Sequence, residues 1–383
     1  MIKLQLALWQ IMLLTWTSFF FMLLYGGLLY FYKRGWNSQL PYKPKKTVPT
    51  QVTVIVPARN EEDNIAALLT SLQQQTYPSA SFEVIVVDDF STDGTAAAAQ
   101  PFLSQRVRLL QPNCRETDSS KKKAIETAVA VATGELIVAT DADCILPPDW
   151  LLTINSYYVE TGAQFIAAPV KFTRDHSFLQ LFQAIDFMVL QGLTAASVAA
   201  DFHNMCNGAN LAYTRKAFID VEGFKGIDQV ASGDDMLLMH KIWKLHPKKI
   251  RYLKSREAIV TTAPMSSWLG FFWQRIRWAS KTVHYNDQRV FGVLLFIYFF
   301  NVLFFILCIA ALFHMSYLKL ALAFWVLKTA VEWPFVVSVA RFYNEQSLMK
   351  YFFFFQPLHM LYTVIIGALS QVGKYKWKGR RTS

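Results

Sequence analysis

The sequence predicts an α/β domain with a Rossmann-like, mostly parallel sheet, joined to transmembrane α-helices on both sides. Three observations lead to this prediction. Short β-branched segments alternate with helical segments through the middle of the chain, long runs without a charged side chain lie near both ends, and the composition between those runs resembles a soluble domain. The predicted domain covers residues 48–263, which is an ordinary size for one domain with its own core.

The middle of the chain follows a βαβ rhythm. In chain order the predicted segments are strand 51–56, helix 61–75, strand 83–87, strand 106–110, helix 121–132 and strand 135–139. This rhythm is typical of a parallel sheet covered by helices, and such sheets bind ligands beyond the carboxyl ends of their strands. The acidic motifs follow Val87 and Thr140, so we expect them at that edge.

Three apolar runs carry no charged side chain: residues 4–32, 290–318 and 351–373. Each is long enough for a hydrocarbon core roughly 30 Å thick at about 1.5 Å per helical residue. The first run is longer and more aromatic than a signal peptide and lacks a small-residue cleavage site. We therefore predict a transmembrane helix over residues 1–35, a C-terminal transmembrane region over 289–374 and a basic tail over 375–383.

Basic residues flank these runs and predict their orientation. Lys33, Arg34, Lys43, Lys45 and Lys46 precede the first acidic residue of the chain. The positive-inside rule then places the domain in the cytoplasm and makes the chain a multi-pass protein of the cell membrane.

The same rule places the basic segment 374–381 in the cytoplasm, which requires an even number of crossings after the domain. Yet a third candidate, residues 320–340, contains Lys328, Glu332 and Pro334. Lys328 and Glu332 are four residues apart and can pair on a helix. Either this segment is re-entrant or interfacial, or the tail lies on the far side. The expectation is four spans in total.

Composition excludes some classes of function. The 38 Lys and Arg residues exceed the 27 Asp and Glu residues, for a net charge of +11. The basic residues cluster beside the apolar runs, where anionic headgroups explain them, so no nucleic-acid partner is expected. The four cysteines show no metal-ligand spacing and are expected to be reduced. A transporter is disfavoured because the spans are few and show no inverted repeat.

Two carboxylates, Asp141 and Asp143, directly follow a predicted strand. In an extended backbone both side chains point the same way, which suits a hard divalent cation such as Mg²⁺ or Mn²⁺ that shares its shell with substrate phosphates. Such an ion can stabilise a diphosphate leaving group. The alternative is a solvated turn at the strand end.

Two other acidic groups are candidates beside the same edge. Asp88 and Asp89 follow strand 83–87, where they can form an Asx-turn or accept hydrogen bonds from a nucleotide base. Asp234 and Asp235 follow Ser232 and Gly233 and begin a helical run. These two carboxylates can either cap the helix or act as a general base towards an acceptor hydroxyl.

Residues 265–285 mix aromatic and basic side chains, which is typical of an amphipathic helix in the membrane interface. The segment contains Gln274, Arg275, Arg277 and Trp278. Its arginines either snorkel as an interfacial anchor, or Arg277 pairs with a departing diphosphate while Trp278 stacks near the acceptor.

In this order the motifs resemble the family-2 glycosyltransferases of the GT-A fold, over roughly residues 50–280. The resemblance rests on VIVPARNEEDNI, VIVVDDFSTDGT, DAD, NGANLAYTRKAF, SGDDMLL and QRIRW. It implies a nucleotide-sugar donor, a UDP-sugar above all, together with Mg²⁺ or Mn²⁺ and inversion at the anomeric carbon.

The resemblance also implies roles for individual residues. Asp143, and with it Asp141, would hold the metal, and Asp235 matches the family's base carboxylate. Asp234 stands where the family has Glu, so both aspartates are catalytic candidates. The implied donor-binding residues are Pro57, Glu61, Asp88, Asp89, Lys121, Asp141, Gln274, Arg277 and Trp278. The implied acceptor-side residues are Asn207, Gly208, Asn210 and Trp278.

The acceptor is not decided by these motifs, because QxxRW occurs in polysaccharide synthases and in lipid-modifying enzymes of the family. The basic tail with Trp377 resembles that of some lipid-modifying members, which favours a membrane lipid acceptor. The alternatives are a processive polysaccharide synthase with a membrane channel and a catalytically inactive membrane scaffold.

Overall fold

The computed structural model describes residues 2–116, 120–202, 205–228, 233–280, 287–370, 375–377 and 380–382. Ser232, residues 281–285 of the predicted interfacial helix, and residues 374, 378 and 379 of the basic segment lie outside this part. The helices are α1 Ile2–Ser38, α2 Ile65–Gln73, α3 Thr95–Ala99, α4 Lys121–Val131, α5 Trp150–Thr161, α6 Phe178–Ala199, α7 Arg215–Asp220, α8 Met236–Leu245, α9 Trp268–Ser280, α10 Gln288–Ala311, α11 Met315–Tyr343 and α12 Met349–Leu369.

The strands form a seven-stranded sheet, a three-stranded sheet and a terminal hairpin. They are β1 Val52–Ala58, β2 Phe82–Asp88, β3 Val107–Leu110, β4 Leu136–Ala139, β5 Cys144–Ile145, β6 Phe165–Ala167, β7 Val170–Phe172, β8 Leu211–Thr214, β9 Ile250–Tyr252, β10 Val260–Thr262, β11 Tyr375–Trp377 and β12 Arg380–Thr382. The large sheet has the order β3-β2-β1-β4-β8-β6-β9. Only the pairings of β8 with β4 and with β6 are antiparallel, so the predicted mostly parallel sheet is confirmed.

The central strands are buried on both faces. In β1, Val54 and Val56 enter one hydrophobic core while Ile55 enters the other, and all three are fully buried. Burying such a side chain contributes about 1.5–3 kcal/mol. The helix predicted over 61–75 begins only at Ile65, because the preceding residues form a turn in which the Glu61 amide donates to Thr95 Oγ1 at 2.8 Å.

Five helices of the described part are long and apolar enough to cross a membrane: α1, α6, α10, α11 and α12. The sequence analysis did not predict α6. The apolar stretch of α6 is 83% buried within the protein, against 17–39% for the other four. It packs against α1, α11 and α12 on one side and against β7 and β9 on the other. At Gly35 of α1 an added Cβ would lie 2.4 Å from the Ala196 carbonyl oxygen, so this close helix crossing requires glycine.

One expectation about the C-terminal region was wrong. The uncharged run 290–318 is not one segment, because α10 ends at Ala311 and His314 caps the start of α11. The re-entrant alternative for residues 320–340 does not fit α11, which is one continuous helix of 29 residues, about 43 Å long. The predicted pair within it is confirmed, since Lys328 Nζ lies 2.5 Å from Glu332 Oε1.

Three helices meet at one depth around Glu332. Tyr25 of α1 stacks on Phe300 of α10 with 4.2 Å between ring centroids, and its hydroxyl donates to the Glu332 carboxylate of α11. These contacts fix a common level for α1, α10 and α11.

Helix α12 lies across this level. Its residue Gln356 hydrogen-bonds with both Lys328 and Glu332, while Gly367, eleven residues later, packs against the ring of Tyr298 in α10. Eleven helical residues extend about 16 Å, yet both contacts lie close to the level of Phe300. Helix α12 therefore crosses α10 and α11 instead of running beside them, and β11 then returns to α9.

Lys254 anchors the end of α1 to the α/β domain. Its Nζ donates to the carbonyl oxygens of Trp36 and Gln39 at 2.8 and 2.9 Å and lies 3.7 Å from the centre of the Trp36 ring. Burial lowers the pKa of Lys254 from 10.5 to about 8.

This shift predicts a pH-dependent stability. Because the pKa of Lys254 is lower in the folded state, burying the protonated lysine destabilises the folded protein below pH about 8. This cost disappears as pH rises towards 10.5. We expect the thermal unfolding midpoint, measured in neutral detergent from pH about 7.5 to 10, to rise with pH more steeply for the wild type than for Lys254→Met. Equal slopes for the two proteins would contradict the assignment.

Candidate functional site

A cleft of about 290 Å³ opens beyond the carboxyl ends of β1, β2 and β4 and is also lined by α6 and α9. This is the edge at which the sequence placed the acidic motifs. The structure brings most of the predicted site residues together here: Pro57, Glu61, Asp89, Lys121, Asp141, Asp143, Asn207, Gly208, Asp234, Asp235, Gln274, Arg277 and Trp278.

The loops after β1 and β2 are tied together by Arg59. The Asp89 amide donates to the Ala58 carbonyl at 2.8 Å, and Arg59 Nη1 donates to the carbonyl oxygens of Asp89 and Phe90 at 2.5 and 3.0 Å. Arg59 is buried and lines the cleft. The sequence analysis assigned no role to Arg59.

Lys121 joins carboxylates from two parts of the chain. Its Nζ lies 2.6 Å from Asp141 Oδ1, after β4, and 3.1 Å from Asp234 Oδ2, before α8. Burial disfavours the charged form, but the two carboxylates outweigh burial and raise the pKa of Lys121. The lysine therefore stays protonated and holds both acidic motifs beside the cleft.

The residues at the end of β4 offer two carboxylates to a divalent cation. Among the described residues, no group of three His, Cys, Asp or Glu side chains is arranged to hold a metal ion. The cleft instead offers two carboxylates, Asp141 and Asp143, and Asp143 Oδ2 accepts a hydrogen bond from Thr262 Oγ1 at 3.2 Å. Two carboxylates are what Mg²⁺ commonly takes from a protein when substrate phosphates complete its shell.

Asp235 begins α8 and contacts the loop that precedes β8. Its Oδ1 accepts from the Met236 amide at 2.7 Å, and its Oδ2 accepts from the Gly208 amide at 3.1 Å. The predicted capping of the helix is thus confirmed, and the same carboxylate also lines the cleft. Capping and a catalytic role are compatible, because a carboxylate oxygen has more than one lone pair.

Helix α9 is held against α6 by contacts of Arg275. Arg275 Nη2 lies 2.6 Å from Asp186 Oδ2 of α6, and the Tyr362 hydroxyl of α12 donates to Asp186 Oδ1 at 2.5 Å. The guanidinium also lies 4.3 Å from the centre of the Trp278 ring. The expectation that the arginines of this segment snorkel is therefore wrong for Arg275, because a carboxylate inside the protein neutralises it. Gln274, Arg277 and Trp278 line the cleft.

Two predicted site residues do not line the cleft. Asp88 is buried and accepts from the Ser91 amide at 3.1 Å, which is the Asx-turn considered for it. Asn210 is fully buried, accepts from Trp150 Nε1 at 2.9 Å and donates to the carbonyl oxygens of Pro169 and Ala258 at 2.8 Å. The acceptor contact expected of Asn210 is replaced by this structural role.

One wall of the cleft comes from parts of the chain that the sequence analysis did not assign. Its apolar side chains include Phe187 and Leu190 of α6, Phe172 of β7 and Met265, and Gln191 and Thr194 add polar groups. The nearly uncharged apolar run 178–199 was the available signal for α6. Its place beside the cleft follows from packing between distant segments.

Known proteins resemble this chain over its α/β domain. Residues 53–220 match the family described as Glycosyl transferase family 2. Glycosyltransferase AglE of Haloferax volcanii is 33% identical over 122 residues, which cover 32% of this chain and 40% of that protein. Beta-monoglucosyldiacylglycerol synthase of Nostoc sp. is 24% identical over 235 residues, 60% of this chain and 48% of that protein. The chain thus spans about half or less of the length of these curated relatives.

A solved structure resembles nearly the whole chain. The mannosyltransferase PcManGT from Pyrobaculum calidifontis, in complex with GDP-Man and Mn²⁺, superposes with a TM-score of 0.55. The match covers 94% of this chain and 97% of that one at 22% identity. At this identity the likeness concerns the fold.

Proposed function

The chain carries a glycosyltransferase family 2 domain with the GT-A fold, and we propose that it moves a sugar from a nucleotide-sugar to a membrane lipid. The observation that supports this most is the convergence of the acidic motifs after β1, β2 and β4 with Asp235 and the QxxRW residues of α9 around one cleft. An inactive scaffold would not need these carboxylates in one place.

The cleft offers a place for each part of the donor. Glu61 and Asp89 lie beyond β1 and β2, where a base and ribose can be bound, as in other sheets of this type. Asp143 and Asp141 would hold Mg²⁺ or Mn²⁺, which when bound neutralises charge on the diphosphate. Arg277 supplies a planar cation suited to the same group.

We assign Asp235 as the general base of an inverting transfer. The acceptor hydroxyl oxygen forms a bond to the anomeric carbon, the bond from that carbon to the diphosphate oxygen breaks, and Asp235 takes the hydroxyl proton. Asp234 is the less suitable base because it pairs with the Lys121 ammonium. Asp234 instead positions Lys121 beside Asp141.

A lipid acceptor is supported by the wall formed by α6. Phe187 and Leu190 give the cleft an apolar side, and α6 packs directly against α1, α11 and α12. A hydroxyl on a lipid headgroup can reach the donor while its chains stay beside these helices. The name of the relative beta-monoglucosyldiacylglycerol synthase points in the same direction.

For the orientation, we propose a cytoplasmic domain, crossings by α1, α10 and α11, and an α12 that enters the membrane without crossing it, which makes three spans instead of the four expected from the sequence. Two crossings after the domain then return the tail to the cytoplasm, as the positive-inside rule requires. An epitope tag after Ser383 is expected to resist protease in intact cells and to be digested in opened vesicles. Digestion in intact cells would mean that α12 crosses the membrane.

The proposed function is tested with purified protein in lipid nanodiscs and Mn²⁺, given radiolabelled UDP-glucose, UDP-galactose, UDP-N-acetylglucosamine or GDP-mannose. Label entering the organic phase on lipid extraction, and absent with the Asp143→Ala variant, supports a glycolipid synthase and names its sugar. Label in large aqueous or insoluble material would instead favour a polysaccharide synthase. Label that enters lipid equally with Asp143→Ala would exclude this cleft as its source.

The Gly208→Ala variant should weaken donor binding. An alanine Cβ would lie 2.8 Å from Lys121 Nζ, so the ammonium group must shift, which disturbs its 2.6 Å contact with Asp141. Losing a charged hydrogen bond costs about 1.5–3 kcal/mol, so we expect KM for the donor to rise about tenfold or more, with the unfolding midpoint little changed. Gly292→Ala is the matched control, because a Cβ there has nothing within 4 Å. An unchanged KM for Gly208→Ala would contradict the role of Lys121.

A further inference from the structure

A second cavity, of about 430 Å³, lies where α1 and α11 end against the α/β domain. Trp36 near the end of α1 and Arg341 near the end of α11 line it, together with Tyr42 of the connecting segment between α1 and β1. It shares no lining residue with the catalytic cleft. Its place at the ends of two candidate membrane helices puts it at the depth of lipid headgroups.

The lining of this cavity is strongly basic. Lys43, Lys254, Arg256 and Arg341 contribute four cationic side chains, whereas Glu257 is the single carboxylate. Glu257 accepts a hydrogen bond from the Ser255 hydroxyl at 2.8 Å. Within the described ranges, it forms no ion pair with any of the four cations. The cavity therefore has an excess of positive charge.

The side chains of Lys254 and Arg256 donate hydrogen bonds to neutral backbone carbonyl groups. Arg256 Nε donates to the Phe342 carbonyl at 2.8 Å and its Nη2 to the Arg341 carbonyl at 2.6 Å, while Lys254 contacts carbonyls at the end of α1. Carbonyl oxygens satisfy these donors without neutralising their charge. In the part of the chain that the structure describes, the side chains of Lys43 and Arg341 have no hydrogen-bond or ion-pair partner. An anion entering the cavity would meet both.

We propose that this basic cavity binds a phosphate group, that of an anionic membrane lipid in the leaflet facing the α/β domain. Guanidinium groups bind phosphate with paired hydrogen bonds, and ammonium groups add point charge. Trp36 and Tyr42 are the aromatic residue types found at this depth of a membrane. A lipid bound here contacts α1, the connecting segment and α11 at once and holds the membrane helices against the domain. The site is independent of the proposed glycosyl transfer.

Native mass spectrometry of the full chain in micelles tests this site, with phosphatidylglycerol or phosphatidylcholine titrated in. The cavity variant is Lys43→Gln with Arg341→Gln. The control is Arg34→Gln with Lys46→Gln, which removes the same charge beside the same helix end without touching the cavity. We expect one phosphatidylglycerol to bind the wild type and the control about tenfold more tightly than phosphatidylcholine, and the cavity variant to lose this preference.

Inorganic phosphate and glycerol 3-phosphate distinguish the source of the phosphate. Failure of both to displace phosphatidylglycerol at millimolar concentration supports a lipid ligand, whereas displacement supports the site and assigns it to soluble phosphate. Equal binding of the two lipids by the wild type, or equal loss in the control, would overturn the proposal. The unfolding midpoint in neutral detergent is expected to be the same for both variants, because the replaced side chains are exposed.

Discussion

The Asp235→Asn variant is expected to fold normally and to lose sugar transfer by about 10²–10⁴-fold in kcat, which is the usual contribution of a general base. Asn is an equally good helix-capping residue, so its side-chain oxygen can still accept from the Met236 amide that Asp235 caps. The substitution thus removes the proton acceptor while keeping the start of α8. Initial rates at saturating donor measure the loss, and the thermal midpoint checks the fold.

Asp234→Asn is the matched control for this experiment. It changes the neighbouring carboxylate, whose contact with Lys121 is 3.1 Å, and should act mainly on KM for the donor. A kcat of Asp235→Asn within tenfold of the wild type would remove Asp235 from the role of base. If Asp234→Asn alone abolished kcat, the assignments of the two aspartates would have to be exchanged.

The Arg275→Met variant is expected to lose about 3–5 kcal/mol of stability, the usual cost of removing one partner from a buried ion pair. The side chains of Arg275 and Asp186 are only 4% and 3% exposed, so water cannot replace the guanidinium. The Asp186 carboxylate would keep its hydrogen bond from Tyr362 but lose its counter-charge. The free energy of unfolding in mixed micelles, from denaturant titration, measures the effect.

A double variant separates charge from packing. Asp186→Leu combined with Arg275→Met replaces the pair by apolar side chains and should recover part of the stability, because neither charge is left alone although the Tyr362 hydroxyl loses its acceptor. An Arg275→Met protein within about 1 kcal/mol of the wild type would show that water or another cation reaches Asp186. Because α9 also carries Gln274 and Arg277, any surviving single variant should show a raised KM for the donor.

Local patterns predicted much of the α/β domain. Short apolar runs predicted strands β1 to β4, and the alternation of these runs with helical segments predicted a parallel sheet. The rule that ligands bind at the carboxyl ends of such strands then predicted that Asp89, Asp141 and Asp143 would meet, which the cleft confirms. The wrong expectations for Asn210 and Arg275 arose because burial cannot be read from a motif.

The membrane helices show the same division. The approximate positions of α1, α10, α11 and α12 follow from hydropathy, which depends only on composition along the chain. The crossing of α12 over α10 and α11 does not, because it depends on contacts such as Gln356 with Glu332 between segments far apart in sequence. The same holds for α6, whose apolar residues are buried inside the protein between the sheet and the membrane helices.

Motif spacing and the alternation of strands with helices are local properties of the sequence, and they predicted the glycosyltransferase family 2 domain, its fold and most of the charged residues at its cleft. The pairing of the charged side chains depends instead on the tertiary structure. Lys121 joins Asp141 to Asp234, and Arg275 joins α9 to Asp186, across 20 to 113 residues of chain. Such pairs form because burying a charge is costly until an opposite charge from elsewhere in the chain meets it.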